Sequence, residues 1–299
     1  MTDPAVSVVI PTRGRPSLLL RAIRSVLAQS VHEFEIVVVV DGPDSATEAA
    51  VHSVEDRRIR VEVLPEPRGP AGARNAGVSA ARAELVAFLD DDDEWHADKL
   101  RIQLAELSGR DALTISAGKV VARRPGRRDR VWPTRFPDPG EPLGDYLLAR
   151  RGLRWGETLV HTSTIVAPAA LLRRLPFREG VRHEDYDWLL RAAAAGATVA
   201  FVRADAPLAT WHIDDDRPRY SRRSDPAGSL AWIRSVRDLV SRRAYAAFLL
   251  TWVVPDARGL ERLRLMPRLL WESARAGSPA PVHVAVAVGT ALVPERLRS

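Results

Sequence analysis

Four carboxylates in a row, Asp90-Asp91-Asp92-Asp93, form the densest chemical feature of this chain, and they follow directly on the apolar run Leu85-Val86-Ala87-Phe88-Leu89. Such negative charge is not buried without a cation or solvent, so the run suits a divalent metal and, through it, a phosphate ligand. A solvated acidic loop whose last Asp caps the next helix accounts for the same residues. A second cluster, Arg68 to Gly77, places glycines and Arg74 at an expected helix start, where free N–H groups and the helix dipole favour an anion. Ordinary turns and close helix packing explain Gly72 and Gly77 equally well. Further on, Glu184 and Asp185 open a helical pattern, a place where carboxylates favour the positive end of the dipole. His212 follows Trp211, as packing histidines often do, and a second acidic run, Asp214 to Asp216, competes with the first for a metal.

The elements that must position these groups alternate. Val6 to Ile10 reads as a strand, Pro11 to Pro16 as a turn, and Leu18, Leu19, Ala22, Ile23, Val26 and Leu27 as the apolar face of a helix. Phe34 to Val40, apolar and mostly β-branched apart from Glu35, ends at Asp41-Gly42, the pattern of a central parallel strand. A helix over 45–54, a strand over 59–64, a helix over 71–83 and a strand at Leu85 continue the alternation. Strands are also expected over 113–121, 162–167, 198–202 and 207–211, and a helix over 168–175. The basic segment 123–130 reads as a lid or a solvated connection. The fold class is therefore α/β, a doubly wound, mostly parallel sheet flanked by helices, with a helical C-terminal extension over 228–254 and 260–276. In such a sheet Thr12, Asp41 and Asp90 to Asp93 converge at the carboxyl ends of the strands. Neither G-x-G-x-x-G nor G-x-x-x-x-G-K-[ST] occurs, so phosphates must be managed without those loops.

Composition sets limits. With 299 residues, 46% of them apolar, the chain can build one large or two small cores. It has no cysteine, which leaves carboxylates and imidazoles to hold any metal. The net charge is +6, and Lys99 and Lys119 are the only lysines among 44 basic residues. Arginine suits phosphate and carboxylate recognition. It thickens after Arg217, so the C-terminal helices are expected either to pack with a solvated face or to lie at an anionic membrane. No basic and aromatic interleaving points to nucleic acid. Met1 to Asp3 precede the first strand without a basic and apolar leader, and the apolar stretches 244–254 and 281–293 are shorter than the roughly 20 residues that span a bilayer. A cytoplasmic protein, peripheral at most to the inner face of the membrane, is expected.

The order of four motifs resembles the family 2 glycosyltransferases of GT-A fold: Ser7 to Thr12, Glu35 to Gly42, Gly72-Ala73-Arg74-Asn75-Ala76-Gly77, and Phe88 to Trp95. The resemblance continues to about residue 221. It implies an inverting, metal-dependent enzyme that moves a sugar from a nucleoside-diphosphate-sugar to an acceptor hydroxyl, in cell-surface polysaccharide, glycolipid or secondary-metabolite glycosylation. The acceptor would be a sugar, a lipid-linked or a small molecule. Asp92, Asp90 and His212 would bind Mn or Mg, with Asp93 as helper, and Pro11, Thr12, Arg13, Asp41, Arg74, Asp90 and Asp91 would bind the nucleotide, Asp41 at its base. Asp185 falls at the catalytic base, the group that accepts the hydroxyl's proton as the glycosidic bond forms. Asp214 to Asp216 would belong to a loop that orders over the donor, with Arg217, Arg219 and Arg222 reaching the diphosphate. Val40 departs from the family, many of whose members carry a second Asp there. The implied domains are a catalytic domain over 1–224, divided into a nucleotide-sugar half (1–110) and an acceptor half (111–224), and an extension over 225–299. A sugar-phosphate nucleotidyltransferase and a non-catalytic basic binding protein are the alternatives.

Overall fold

The computed structural model describes residues 3–153, 156–203, 206–213 and 224–292. The chain forms two compact units: Met1–Pro133, Val160–Gly180 and Arg191–Asp215 make the first, and Thr134–Leu159, Val181–Leu190 and Asp216–Ser299 the second. In chain order the main elements are β1 (Val6–Thr12), α1 (Pro16–Leu27), β2 (Phe34–Val40), α2 (Ser45–His52), β3 (Ile59–Val63), α3 (Gly69–Ala80), β4 (Leu85–Phe88), β5 (Glu94–Trp95), α4 (Lys99–Leu107), β6 (Thr114–Ala117), β7 (Val120–Arg123), β8 (Arg130–Trp132), α5 (Leu143–Leu148), β9 (Val166–Pro168), α6 (Ala169–Arg174), α7 (Glu184–Ala194), β10 (Thr198–Phe201), β11 (Ala209–His212), α8 (Pro226–Ser235), α9 (Arg242–Phe248), α10 (Val254–Asp256), α11 (Gly259–Ala276) and α12 (Pro281–Leu292).

The first unit is built on a seven-stranded sheet in the order β10-β6-β9-β4-β1-β2-β3. Its strands run parallel except β9, which is antiparallel to both β4 and β6. The β-branched run of β2 is buried along its whole length, as a strand covered on both faces must be. Register then sets the site. Thr12 pairs with Val40, so the chain leaves β1 and β2 side by side. Val9 pairs with Phe88, so the acidic run emerges beside Ile10 to Thr12. Helix α3 lies close against β1 and β2 because Gly77 has no side chain: a Cβ there would come 2.3 Å from Cγ1 of Val9 and 3.1 Å from Cγ2 of Val39.

The stretch expected as one strand over 113–121 is two strands in different sheets. Thr114 to Ala117 joins the large sheet, and Val120 to Arg123 joins a second one with the order β5-β11-β7-β8. Gly118 makes the switch, since a Cβ there would fall 2.4 Å from Cδ1 of Leu208. In the small sheet Thr210 pairs with Glu94, which carries His212 to the far end of the acidic run.

The second unit contains α5, the first turns of α7, and α8 to α12. The single helix expected over 228–254 is broken. α8 ends at Ser235, and Ser241 restarts the chain by accepting the Ala244 N–H at 2.9 Å. A π-helical turn over Leu249–Val253 then joins α9 to α10.

Candidate active site

The four aspartates face in different directions. Asp91 points inward, accepting from Thr12 Oγ1 at 2.7 Å and from Arg15 Nη1 at 3.1 Å. Asp93 is also inward, 1% exposed, and accepts from Ser163 Oγ at 2.6 Å and from the His212 N–H at 3.3 Å. Asp90 and Asp92 are more open, their side chains 30% and 15% exposed. Asp90 accepts from Arg74 Nη2 at 2.8 Å, and Asp92 lies 3.5 Å from Arg15 Nη1. Arg21 braces the loop from α1, donating to the Asp92 carbonyl at 2.7 Å and pairing with Glu94 at 3.3 Å.

Environment separates these groups electrically. Burial opposes the charge of Asp90, but Arg74, with His161 and Arg15, outweighs it and holds the carboxyl below its ordinary value. Burial, with repulsion from Asp92 and Asp90, outweighs Arg15 and Thr12 and pushes Asp91 up to about 6. Burial and the nearby Asp90 and Asp92 raise Asp93 well above the usual carboxylate range. The loop thus keeps an ionised outer carboxylate, Asp90, over inner ones whose affinity for the proton is raised and which act as hydrogen-bonded struts.

The other expected residues have definite places. Asp41 accepts the Arg68 N–H at 2.6 Å and the Gly69 N–H at 3.0 Å, which ties the end of β2 to the start of α3. Pro11 ends β1 beside Thr12, and Arg13 is exposed. His212 turns Nε2 to Glu94 at 2.6 Å, and burial, then Arg21, lowers its pKa against the pull of that carboxylate. Asp214 to Asp216, Arg217, Arg219 and Arg222 lie outside the described residues. Arg15, Arg21, His161 and Ser163 were not singled out from sequence. The first two were readable as cations at the head and on the polar side of α1, whereas His161 and Ser163 precede β9 with no local signal. The His161 ring packs 4.9 Å from Trp211, with Nδ1 3.7 Å from Asp93.

In the second unit, Asp185 sits in the first turn of α7 and accepts the Tyr186 N–H at 2.8 Å. His183, just before this helix, holds a left-handed φ of 60°, and its carbonyl accepts the Asp187 N–H at 2.8 Å. A box of aromatic rings fixes it: Trp232 at 4.9 Å, Phe248 at 5.3 Å and Trp252 at 5.6 Å, with Ser229 Oγ 3.0 Å from Nε2. Burial, with Arg182, pushes its pKa down to about 3, so the ring is neutral. Trp232 Nε1 donates to the buried Asp187 at 3.2 Å, so α8 and α9 grip the start of the helix that carries Asp185.

No three His, Cys, Asp or Glu side chains converge as a ready-made metal cage among the described residues. Two partly open carboxylates completed by diphosphate oxygens and water are nonetheless the donor set that Mg²⁺ or Mn²⁺ takes with a nucleotide, and Asp90 and Asp92 fit that set.

An open, mostly parallel sheet with an acidic loop and a helix start at the carboxyl ends of its strands defines a GT-A-type α/β fold. Solved structures agree: TarS of S. aureus in complex with UDP-GlcNAc has a TM-score of 0.56 at 18% identity, covering 91% of this chain and 72% of that one. The mannosyltransferase PcManGT of Pyrobaculum calidifontis, in complex with GDP-Man and Mn2+, has a TM-score of 0.53 at 20% identity, covering 98% and 81%. The family model described as glycosyl transferase family 2 matches residues 7–180. The amylovoran biosynthesis glycosyltransferase AmsB of Erwinia amylovora is 31% identical over 252 residues, 81% of each chain. The chain belongs to glycosyl transferase family 2 and is a glycosyltransferase; neither the nucleotidyltransferase nor the binding-protein alternative is favoured.

Proposed function

We propose that the enzyme transfers a sugar from a nucleoside-diphosphate-sugar to an acceptor hydroxyl in one displacement that inverts the anomeric centre. The observation that carries this reading is the division of the acidic loop into inward struts and outward carboxylates at the ends of β1 and β4. Asp90 and Asp92 would hold Mn²⁺ or Mg²⁺, with His212 joining them on release from Glu94. When bound, the cation supplies charge that offsets the negative charge growing on the diphosphate. Arg15 and Arg74 hold positive charge beside the same carboxylates and would orient the diphosphate. Asp41 would meet the base, and Asp185 would take the acceptor's proton. The donors in the TarS and PcManGT structures support a nucleotide-sugar donor, and the Mn2+ in the latter supports the metal. AmsB, a glycosyltransferase of amylovoran biosynthesis, supports a role in polysaccharide biosynthesis.

Thermal unfolding with UDP, GDP, dTDP and CDP, each with and without Mn²⁺, tests this directly. A ligand at about 100 times its dissociation constant adds roughly 2.7 kcal/mol to the native state. One nucleotide is expected to stabilise the protein only with metal; stabilisation by none would overturn the site. The anomeric configuration of the product, read by NMR, tests inversion, and retention would remove Asp185 as base.

A further inference from the structure

Helices α11 and α12 carry outward faces that contact with water does not explain. On α11 the buried residues are Arg262, Leu269 and Ser273. The exposed half of the helix divides lengthwise. Leu260, Leu263, Pro267 and Trp271 recur at three- and four-residue steps along one edge, and Arg264, Arg268 and Arg275 line the neighbouring edge. Leu260 is 71% exposed and Trp271 61%, with the Arg275 guanidinium 5.2 Å over the Trp271 ring. α12 has no charged residue from Pro281 to Leu292. Its buried side is His283 and Ala287, while Pro281, Ala285, Val288 and Leu292, the last 77% exposed, point away from it. Of the nine large apolar side chains exposed among the described residues, five lie on these two helices, so the exposure is concentrated rather than scattered.

We propose that α11 and α12 lie flat on an anionic lipid bilayer, with the apolar edges in the acyl boundary and the arginine edge on lipid phosphates. No helix among the described residues is long and apolar enough to cross a membrane, so these two lie on the surface rather than span it. An apolar stripe beside a cationic stripe, with an indole at the border, is what an in-plane helix requires. Charge selects the occupant. A two-fold contact between copies of this chain would cover the apolar edges with the same patch twice and add a second set of arginines to the same interface, whereas lipid phosphates neutralise them.

The test is sedimentation of the intact protein with phosphatidylcholine vesicles, with or without about 30% phosphatidylglycerol. The protein is expected to bind the anionic vesicles about tenfold more tightly, and to lose most of that preference when salt is raised from about 0.1 M to about 0.5 M. Leu260→Ser/Trp271→Ser/Leu292→Ser should weaken binding about tenfold or more at an unchanged unfolding temperature, because the three side chains are exposed. Arg264→Ser/Arg268→Ser/Arg275→Ser should abolish the preference for anionic lipid. The proposal fails if the wild-type protein stays in the supernatant with every vesicle, or if the apolar variant pellets like the wild type. It fails equally if light scattering shows a dimer that the apolar variant dissociates while no vesicle is bound. None of these readouts needs turnover, so the result is independent of the reading of the active site.

Discussion

Lys99 is a lysine that the fold should be better without. It opens α4 with its side chain fully buried, its Nζ has no hydrogen-bond partner among the described residues, and that nitrogen lies 3.8 Å from the centre of the Trp95 ring. Removing an ammonium from water costs several kcal/mol, and a desolvated cation–π contact returns only about 2 kcal/mol. Burial accordingly lowers the Lys99 pKa well below its ordinary 10.5. The unfolded chain, in contrast, keeps the proton up to about pH 10.4. Between those two values the unfolded state binds a proton that the folded state lacks, so the stability penalty deepens as pH falls and disappears as pH rises toward the unfolded pKa. Lys99→Met keeps the length of the side chain and sets a thioether over the indole. The variant should be the more stable at pH 7. Inside the window its advantage should shrink by about 1.4 kcal/mol per pH unit, which is about 3–6 °C in Tm for a unit of this size. Paired melts at pH 7, 8, 9 and 10 read the difference, in which every other titrating group cancels. A gap that does not change with pH means that Lys99 keeps its proton inside the fold, and the burial argument is then refuted; a wild type more stable at every pH means that the ring contact wins.

Asp185→Asn should lower kcat by about 10²- to 10⁴-fold while leaving the nucleotide-induced rise in Tm intact, whereas Asp92→Ala should lose both turnover and that rise. Gly77→Ala places a methyl 2.3 Å from Val9 Cγ1 and should cost about 1–3 kcal/mol or more, seen as a lower Tm with no change in which nucleotide binds. His183→Ala empties the aromatic box and leaves alanine at a φ of 60°, so Tm should fall and kcat with it. His183→Asn, which tolerates that backbone better, should recover part of the Tm but not the ring packing.

Much of the fold was readable because its strongest signals are local. The runs in β1 and β2 are buried almost throughout, and the apolar spacing of α1 buries Leu19, Ala22, Ile23 and Val26 as its period requires. What escaped was non-local. Leu113 to Val121 reads as one strand because nothing next to Gly118 announces Leu208, the side chain that fills the space over it. Glu94 and Trp95 look like the tail of an acidic loop, and only pairing with β11 makes them a strand. The acidic run itself was plain, but charge density along a chain does not say which oxygens face the core. Nor could sequence choose between Arg13 and Arg15, two arginines either side of Gly14. The positive φ of 65° at Gly14 turns the chain so that Arg15 reaches Asp91 while Arg13 stays exposed.

The physical problem posed by Asp90 to Asp93 is repulsion. Unit charges about 4 Å apart interact by about 4 kcal/mol at the dielectric of a protein surface, so four adjacent carboxylates cannot all stay ionised without help. The fold answers in two ways. The inner pair, Asp91 and Asp93, is pushed toward protonation and tied by hydroxyls of Thr12 and Ser163. The outer pair, Asp90 and Asp92, is met by arginines from α3 and from the head of α1. On the proposed reading, a diphosphate with its cation would bring both signs of charge to this loop at once, so the carboxylates could pass to the cation and the arginines to the phosphates with little change in local charge. A bare cation would leave Arg15 and Arg74 facing an added positive charge, and a bare diphosphate would face the outer carboxylates. On the reading proposed above, the same electrostatics would therefore favour metal and nucleotide binding as a pair over either alone.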